Sequence, residues 1–286
     1  MKLRSPGSAT IINAIATGFG AAFGIDLDII LNGKECNSGI ICSNDVGASN
    51  NLMDACALRV FDYYGVSTED FGLKISSKSN LPMASGLSSS SALSNGVVAL
   101  TSKIISQEFD LKELSDLEII NLAIDVSLDV GVTITGAFDD ATASYFGGVC
   151  LTNNQTREFV SRGEMTEKDV LVFMPDYISE SGSSDVERMK LLAPLVSNAF
   201  DLACIEEYYD ALTLNGLLYC STLGFDSNIA IEALNAGALA SGLSGTGSAY
   251  VAICDEHDLD SVKDAWSSFD GRVIESSVDN TGLCFK

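Results

Sequence analysis

Pro82-Met83-Ala84-Ser85-Gly86-Leu87-Ser88-Ser89-Ser90-Ser91-Ala92 is the stretch on which the reading of this chain turns. It follows Phe71-Gly72-Leu73-Lys74-Ile75, whose alternation reads as a strand, and precedes an apolar series at Val97, Val98, Leu100 and Ile104 that reads as a helix. Pro82 ends the strand and Ser85-Gly86 make a tight turn. A helix that begins among small residues exposes unpaired N–H groups at the positive end of its dipole. Small side chains let a phosphate reach that backbone, while serine hydroxyls add donors and a magnesium ligand. The competing reading is a serine-rich cap with no ligand. Four consecutive serines are poor interior helix formers, which weighs against it. The turn is not a Walker loop: Gly-x-x-x-x-Gly-Lys-[Ser/Thr] is absent, and Gly33-Lys34 is followed by Glu35.

Outward from the turn, Ile25–Leu31 opens with polar–apolar alternation and Gly39–Cys42 is a short apolar run; both read as strands. Leu52, Cys56, Val60 and Tyr63 recur at helical spacing across Asn50–Tyr64. A helix is expected over Asp116–Val130, with Ser115 as its N-cap. Gly147–Leu151 and Val170–Met174, the latter stopped by Pro175, read as strands. Helical patterns cover 186–200, 202–222 and 227–237. A strand at Ala249–Cys254, a helix at 259–268 and a strand at Arg272–Ser276 close the chain. Without a regular βαβ rhythm this order gives an α+β class, divided near residue 155 into parts 1–155 and 156–286.

Composition removes several functions. The 39 acidic and 16 basic residues leave a net charge of −23. Nucleic acid and anionic membranes call for clustered Lys and Arg, and here the cations are scattered. The acidity reads as a solvated surface suited to a salty cytoplasm, with an acidic face for a basic partner as the other reading. None of the eight cysteines forms Cys-x-x-Cys, and most sit in apolar runs such as Val149-Cys150-Leu151. They read as buried hydrophobes in a reducing, cytoplasmic compartment rather than as zinc ligands or disulfides. His257, the one histidine, lies in Asp255-Glu256-His257-Asp258 and reads as a loop residue, which leaves no Ser-His-Asp triad. Met1-Lys2-Leu3-Arg4 imitates the start of a signal peptide, but Pro6-Gly7 and Asn13 interrupt the run. No stretch has the charge-free apolar length of a membrane span.

Two further segments draw attention. Asp139-Asp140 lies within Thr135–Ala143, ahead of Phe146-Gly147-Gly148. Adjacent carboxylates repel, so their placement among small residues suggests a site; a solvated helix N-terminus is the alternative. Asp129 lies eleven residues upstream of Asp140, one turn beyond Asp125 on the expected helix. Ser241-Gly242-Leu243-Ser244-Gly245-Thr246-Gly247-Ser248-Ala249 is, by itself, a flexible turn or an anion nest.

The turn resembles the signature of the GHMP kinases, the superfamily of galactokinase, homoserine kinase and mevalonate kinase. Their Pro-x-x-x-Gly-Leu-Gly-Ser-Ser-Ala stands here with Ser88 for Gly and Ser91 for Ala. The likeness extends over the whole chain. It implies two domains, the first βαβ-rich and like a ribosomal protein domain, the second ferredoxin-like, with ATP at their junction. It further implies that Pro82, Ser85, Gly86, Leu87, Ser88, Ser89 and Ser90 bind ATP. Ser90 and Asp129 would hold Mg²⁺, with Asp125 as substitute. Asp140, seven residues before Gly147, would be the catalytic base, supported by Asp139. Asn13 and Gly245-Thr246-Gly247 would close over phosphates and substrate. The family usually has Glu where Asp129 stands, and some members have Asn where Asp140 stands. Pro6-Gly7-Ser8 lacks the cation of the family's Pro-Gly-Lys or Pro-Gly-Arg. The stretches Thr10–Gly18 and Gly131–Asp140 are instead similar to the archaeal-type shikimate kinases. That implies transfer of the γ-phosphoryl group of ATP to the 3-hydroxyl of shikimate, on the route to chorismate. The substrate carboxylate needs a cation, for which Lys2, Arg4, Lys78, Arg188 and Lys190 stand open. A homoserine or mevalonate kinase and a non-catalytic nucleotide sensor remain as alternatives.

Overall fold

The computed structural model describes residues 1–47, 49–133, 135–176 and 186–286. Its larger sheet is built on two long antiparallel strands, β1 (Lys2–Ile12) and β2 (Phe19–Cys36). The second half of β2 pairs with β4 (Gly72–Ser79), which pairs in parallel with β3 (Gly39–Asn44). Its first residues pair instead with β5 (Val149–Asn153), which pairs with β6 (Glu158–Gly163). At the far side of β1 lies β11 (Cys284–Phe285), so the end of the chain returns to the first sheet. The smaller sheet is antiparallel throughout, in the order β10 (Gly271–Ser277), β7 (Asp169–Pro175), β9 (Tyr250–Cys254), β8 (Ala240–Leu243).

Three helices pack against the larger sheet, α1 (Asn51–Tyr64), α2 (Ser89–Glu108) and α4 (Phe138–Phe146), and α3 (Asp116–Val130) packs on these three helices. Five others belong to the second half: α5 (Val186–Lys190), α6 (Ala193–Cys204), α7 (Tyr208–Leu223), α8 (Asn228–Asn235) and α9 (Leu259–Trp266). The α3 start has the expected cap. Ser115 Oγ accepts from Glu118 N, and the Glu118 carboxylate accepts from Ser115 N at 2.7 Å. The single helical pattern at 186–200 is broken into α5 and α6 because Pro194 enters the first turn of α6 and cannot continue a preceding helix. The next break falls at Glu206, in the left-handed region at φ 67°, between α6 and α7. None of the described helices is long and apolar enough to cross a membrane.

The strand that positions the site, β1, shows no alternation because it is buried on both faces from Leu3 to Ile12. α2 and α4 cover it, and α6 and α7 reach it from the second half. Its polar residues are satisfied inside: Ser5 Oγ donates to Ala92 O at 2.6 Å, and Ser144 Oγ to Pro6 O at 2.6 Å. α2 approaches closely because Gly96 has no side chain; a Cβ there would lie 2.4 Å from Leu31 Cδ1.

Candidate active site

Where β1 ends, two turns from distant parts of the chain meet. Gly86 has φ +81°, and a Cβ on it would stand 2.2 Å from the carbonyl oxygen of Ser244. Ser244 Oγ donates to Gly86 O at 2.7 Å and accepts from Thr10 N at 3.0 Å. Ala249 N donates to Ser85 O at 3.0 Å. The serine-rich turn and the loop after β8 are thereby locked face to face. Asn13 holds the same loop: its Nδ2 donates to Gly245 O at 3.0 Å, while Tyr219 Oη donates to Asn13 O at 3.2 Å. Behind the loop, Gly247 lies so near the Phe225 ring that a Cβ would be 2.5 Å from it.

A cavity of about 220 Å³ opens here, lined by Thr10, Asn13, Gly86, Asp139, Asp140 and Gly245, and by Thr133, Thr135 and Thr246. The serines of the turn divide into two uses. Ser85 is fully buried and donates to Pro82 O at 3.0 Å. Ser88, at φ 60°, meets the Ser8 hydroxyl at 2.5 Å, and Ser89 Oγ accepts from Ala84 N at 3.4 Å. Leu87 is core, and Pro82 is buried. Ser90 and Ser91 are half-buried in the first turn of α2, whose leading backbone N–H groups have no partner within the helix; neither serine lines the cavity.

Asp139 and Asp140 sit in the first turn of α4, entered through Ala137 at φ 45°. Asp139 is buried and Asp140 half-buried, so the segment is not a fully solvated helix N-terminus. Asp139 is 4% exposed, and its Oδ1 accepts from Asn154 Nδ2 at 2.6 Å. Its Oδ2 fills the space a Gly20 side chain would need. Burial pushes the Asp139 carboxyl up, while Asn154 and backbone N–H groups pull it down. Asp140 is held well above the ordinary carboxylate range by burial and then by the charge of Asp139; the Ser88 hydroxyl acts the other way. Asp140 Oδ1 is buried and has no hydrogen-bond partner among the described residues. An unpartnered buried carboxylate oxygen on a cavity wall is a ready proton acceptor.

Residues 51–148 match the family described as GHMP kinases N terminal domain, and residues 203–271 match GHMP kinases C terminal. The chain belongs to the GHMP kinases. A shikimate kinase of Methanobrevibacter smithii is 63% identical to it over 283 residues, covering 99% of this chain and 98% of that protein. A shikimate kinase of Methanothermobacter thermautotrophicus is 49% identical, covering 98% and 96%. The solved mevalonate kinase of Methanococcus jannaschii superposes with a TM-score of 0.79 at 17% identity, over 97% of this chain and 98% of that one. The mixed helices and strands form the two-domain GHMP kinase fold.

In this GHMP kinase the cavity gathers Asn13, Gly86, Asp139, Asp140, Gly245 and Thr246, but not every residue implied by the signature. Asp129 lies elsewhere, at the exposed end of α3, in an ion pair of 2.6 Å with Arg59. Asp125 is paired with Arg157 at 2.7 Å. Neither lines the cavity with the acid pair; each is engaged by an arginine from another element, Arg59 of α1 and Arg157 between β5 and β6. None of the five cations considered for the substrate lines it either. Arg4 is buried against Asp26, Asp28 and Asp279, and Lys190 pairs with Glu187. Sequence reasoning passed over Ser8, Thr10, Ser244 and Asn154. Ser244 stood inside the glycine-rich motif; Asn154 carried no signal at all.

Proposed function

We propose that this chain transfers the γ-phosphoryl group of ATP to the 3-hydroxyl of shikimate. The observation that carries the chemistry is Asp140: a buried, unpartnered carboxylate oxygen on a cavity that the turn at Gly86 and the loop at Gly245-Thr246 also line. The substrate rests on the full-length likeness to proteins named shikimate kinase. The N–H groups at the start of α2 and the Ser90 hydroxyl receive the ATP phosphates. The Gly245–Gly247 loop, fixed by Asn13 and Ser244, holds the other side. The shikimate oxygen attacks the γ-phosphorus, the bond to the ADP oxygen breaks, and the hydroxyl proton passes to Asp140 Oδ1. Asp139, held by Asn154 Nδ2, supports that acceptor. Catalysis is then largely positioning and charge neutralisation.

ATP brings Mg²⁺, which neutralises phosphate charge. Oxygen donors suit this ion, which keeps several waters and needs few protein ligands. Ser90, half-buried in the first turn of α2, fits that demand; Asp129, engaged by Arg59, does not. The first part of the chain, 1–155, supplies the turn, Asn13 and the acid pair, and 156–286 supplies the covering loop. Eight free thiols accord with work in the cytoplasm.

The test is ATP consumption with shikimate, homoserine, mevalonate and galactose at matched concentrations. The expected result is the highest kcat/KM with shikimate. Faster turnover of another alcohol would overturn the substrate and leave the kinase.

A further inference from the structure

We propose that Asn154 is a positioning residue that decides which carboxyl of the Asp139–Asp140 pair takes the substrate's proton. The inference rests on the phosphoryl-transfer reading of Asp140 and deepens it.

Asn154 follows β5 and is 7% exposed. Its backbone N donates to Gly18 O at 2.8 Å, which ties it to the start of β2. Its side chain is a clamp on one carboxylate. Nδ2 donates to Asp139 Oδ1 at 2.6 Å, and Oδ1 accepts from Asp139 N at 3.2 Å. Thr152 Oγ1 also donates to Asn154 Oδ1, at 2.7 Å. Two donors on the amide oxygen fix its orientation, since a flipped amide would set N–H against N–H. The amino group therefore faces Asp139 by construction.

The asymmetry follows from these contacts. A donor held on Asp139 favours its ionised form. That charge sits next to Asp140, whose Oδ1 has no donor of its own. Of the two, Asp140 becomes the stronger base, and it is the one with an oxygen free at the cavity wall. The other groups facing the pair do not reverse this. α7 brings Tyr219, whose hydroxyl donates to Asn13 O. β5 brings Cys150, a thiol raised by burial, with Arg162 of β6 beside it. The N-cap of α2 brings the Ser88 hydroxyl, β1 brings Ser8, and β2 brings Gly20, which has no titratable group. Among the described residues no Lys or Arg lines the cavity.

The test is a ¹³C-carboxyl NMR titration of the ligand-free full chain, with Asp139→Asn and Asp140→Asn used only to assign the two signals. In the wild type Asp140 is expected to lose its proton at higher pH than Asp139. Asn154→Leu keeps the volume and removes the donor, and the order is expected to reverse. In parallel, the acid limb of kcat/KM is expected to move down by roughly one pH unit, the worth of one charge-assisted hydrogen bond, with KM for ATP unchanged. If Asn154→Leu does not fold, Thr152→Val decides. It frees the amide to turn, and should shift both readouts in the same direction by a smaller amount. Asp139 titrating higher in the wild type, or an unmoved order and limb in the folded variants, would overturn the role. The NMR arm needs no substrate. A chain inactive on shikimate would therefore sink the substrate reading alone, and an unmoved order in an active enzyme would sink the role of Asn154 alone.

Discussion

Two acidic pairs lie ten to fifteen residues apart in this chain and have opposite surroundings. Asp125 and Asp129 stand one turn apart on α3, with side chains 46% and 65% exposed, each beside an arginine. Asp139 and Asp140 stand at the start of α4, the first buried and the second half-buried with its Oδ1 enclosed, and no arginine or lysine forms an ion pair with either among the described residues. An exposed ion pair contributes at most about 1 kcal/mol and is at rest in water. Two buried carboxylates with no cation work against folding, and they persist where charge is needed for chemistry. Burial without a counter-charge separates the acids proposed to work from the surface ones; the identity of the residues does not.

The sharpest way to break this contrast is Asp140→Asn. General-base catalysis contributes about 10²–10⁴-fold, and kcat should fall by that range with KM for ATP little changed. The acid limb of the wild-type kcat/KM profile should lie above the ordinary carboxylate range, because burial and Asp139 raise Asp140. The sign for stability is opposite. A carboxyl raised on folding weakens the fold in full above its folded value, less as pH falls below that, and not at all below the ordinary carboxylate range of the unfolded chain. Asp140→Asn should therefore melt higher than wild type at neutral pH, by about 2–4 °C for each kcal/mol relieved, and the gain should vanish in acid. A variant with kcat within about threefold of wild type, and no gain in melting temperature, would erase the difference between the two pairs.

The next largest effect concerns Gly86, which lines the same cavity as the pair. Gly86→Val places a Cβ 2.2 Å from Ser244 O at a φ of +81°. The strained backbone alone costs about 1–3 kcal/mol, and the turn must part from the loop. We expect kcat/KM to drop more than about tenfold, the size of a barrier change near 1.4 kcal/mol, together with a lower melting temperature. Near-normal activity would show that the docked turns do not shape the site.

How much of this was legible in the sequence differs element by element. Helix α3 was readable because its apolar period and its Ser115–Glu118 box are both local. Strand β1 was not, because a strand buried on both faces needs small and self-satisfied residues rather than alternation, and Ser5, Gly7 and Ser8 look like a loop. In the site, the turn around Gly86 and the acid pair could be read from their residue types and from resemblance. Which hydroxyls face a ligand could not: Ser85, Ser88 and Ser89 are taken by partners from Pro82, Ser8 and Ala84, and those pairings arise only on folding. The surroundings of Asp129 were hidden for the same reason: its partner, Arg59, lies seventy residues away on α1.

The smallest expected effect is therefore the most discriminating. Asp129→Asn removes one charge from an ion pair whose carboxylate is 65% exposed. Such pairs contribute about 0–1 kcal/mol, so the melting temperature should move by a few degrees at most. Arg59→Ala should move it by a similar amount, and salt should shrink both changes, since exposed charges are screened. kcat should stay within about twofold of wild type, and the Mg²⁺ concentration for half-maximal activity should not change, because a metal-bound carboxylate is worth far more than a surface one. Should Asp129→Asn raise that Mg²⁺ requirement tenfold while Arg59→Ala leaves it alone, the carboxylate would be a metal ligand after all. The end of α3 would then have to leave Arg59 and swing toward the start of α2 when ATP binds, and the two acidic pairs would be parts of one site.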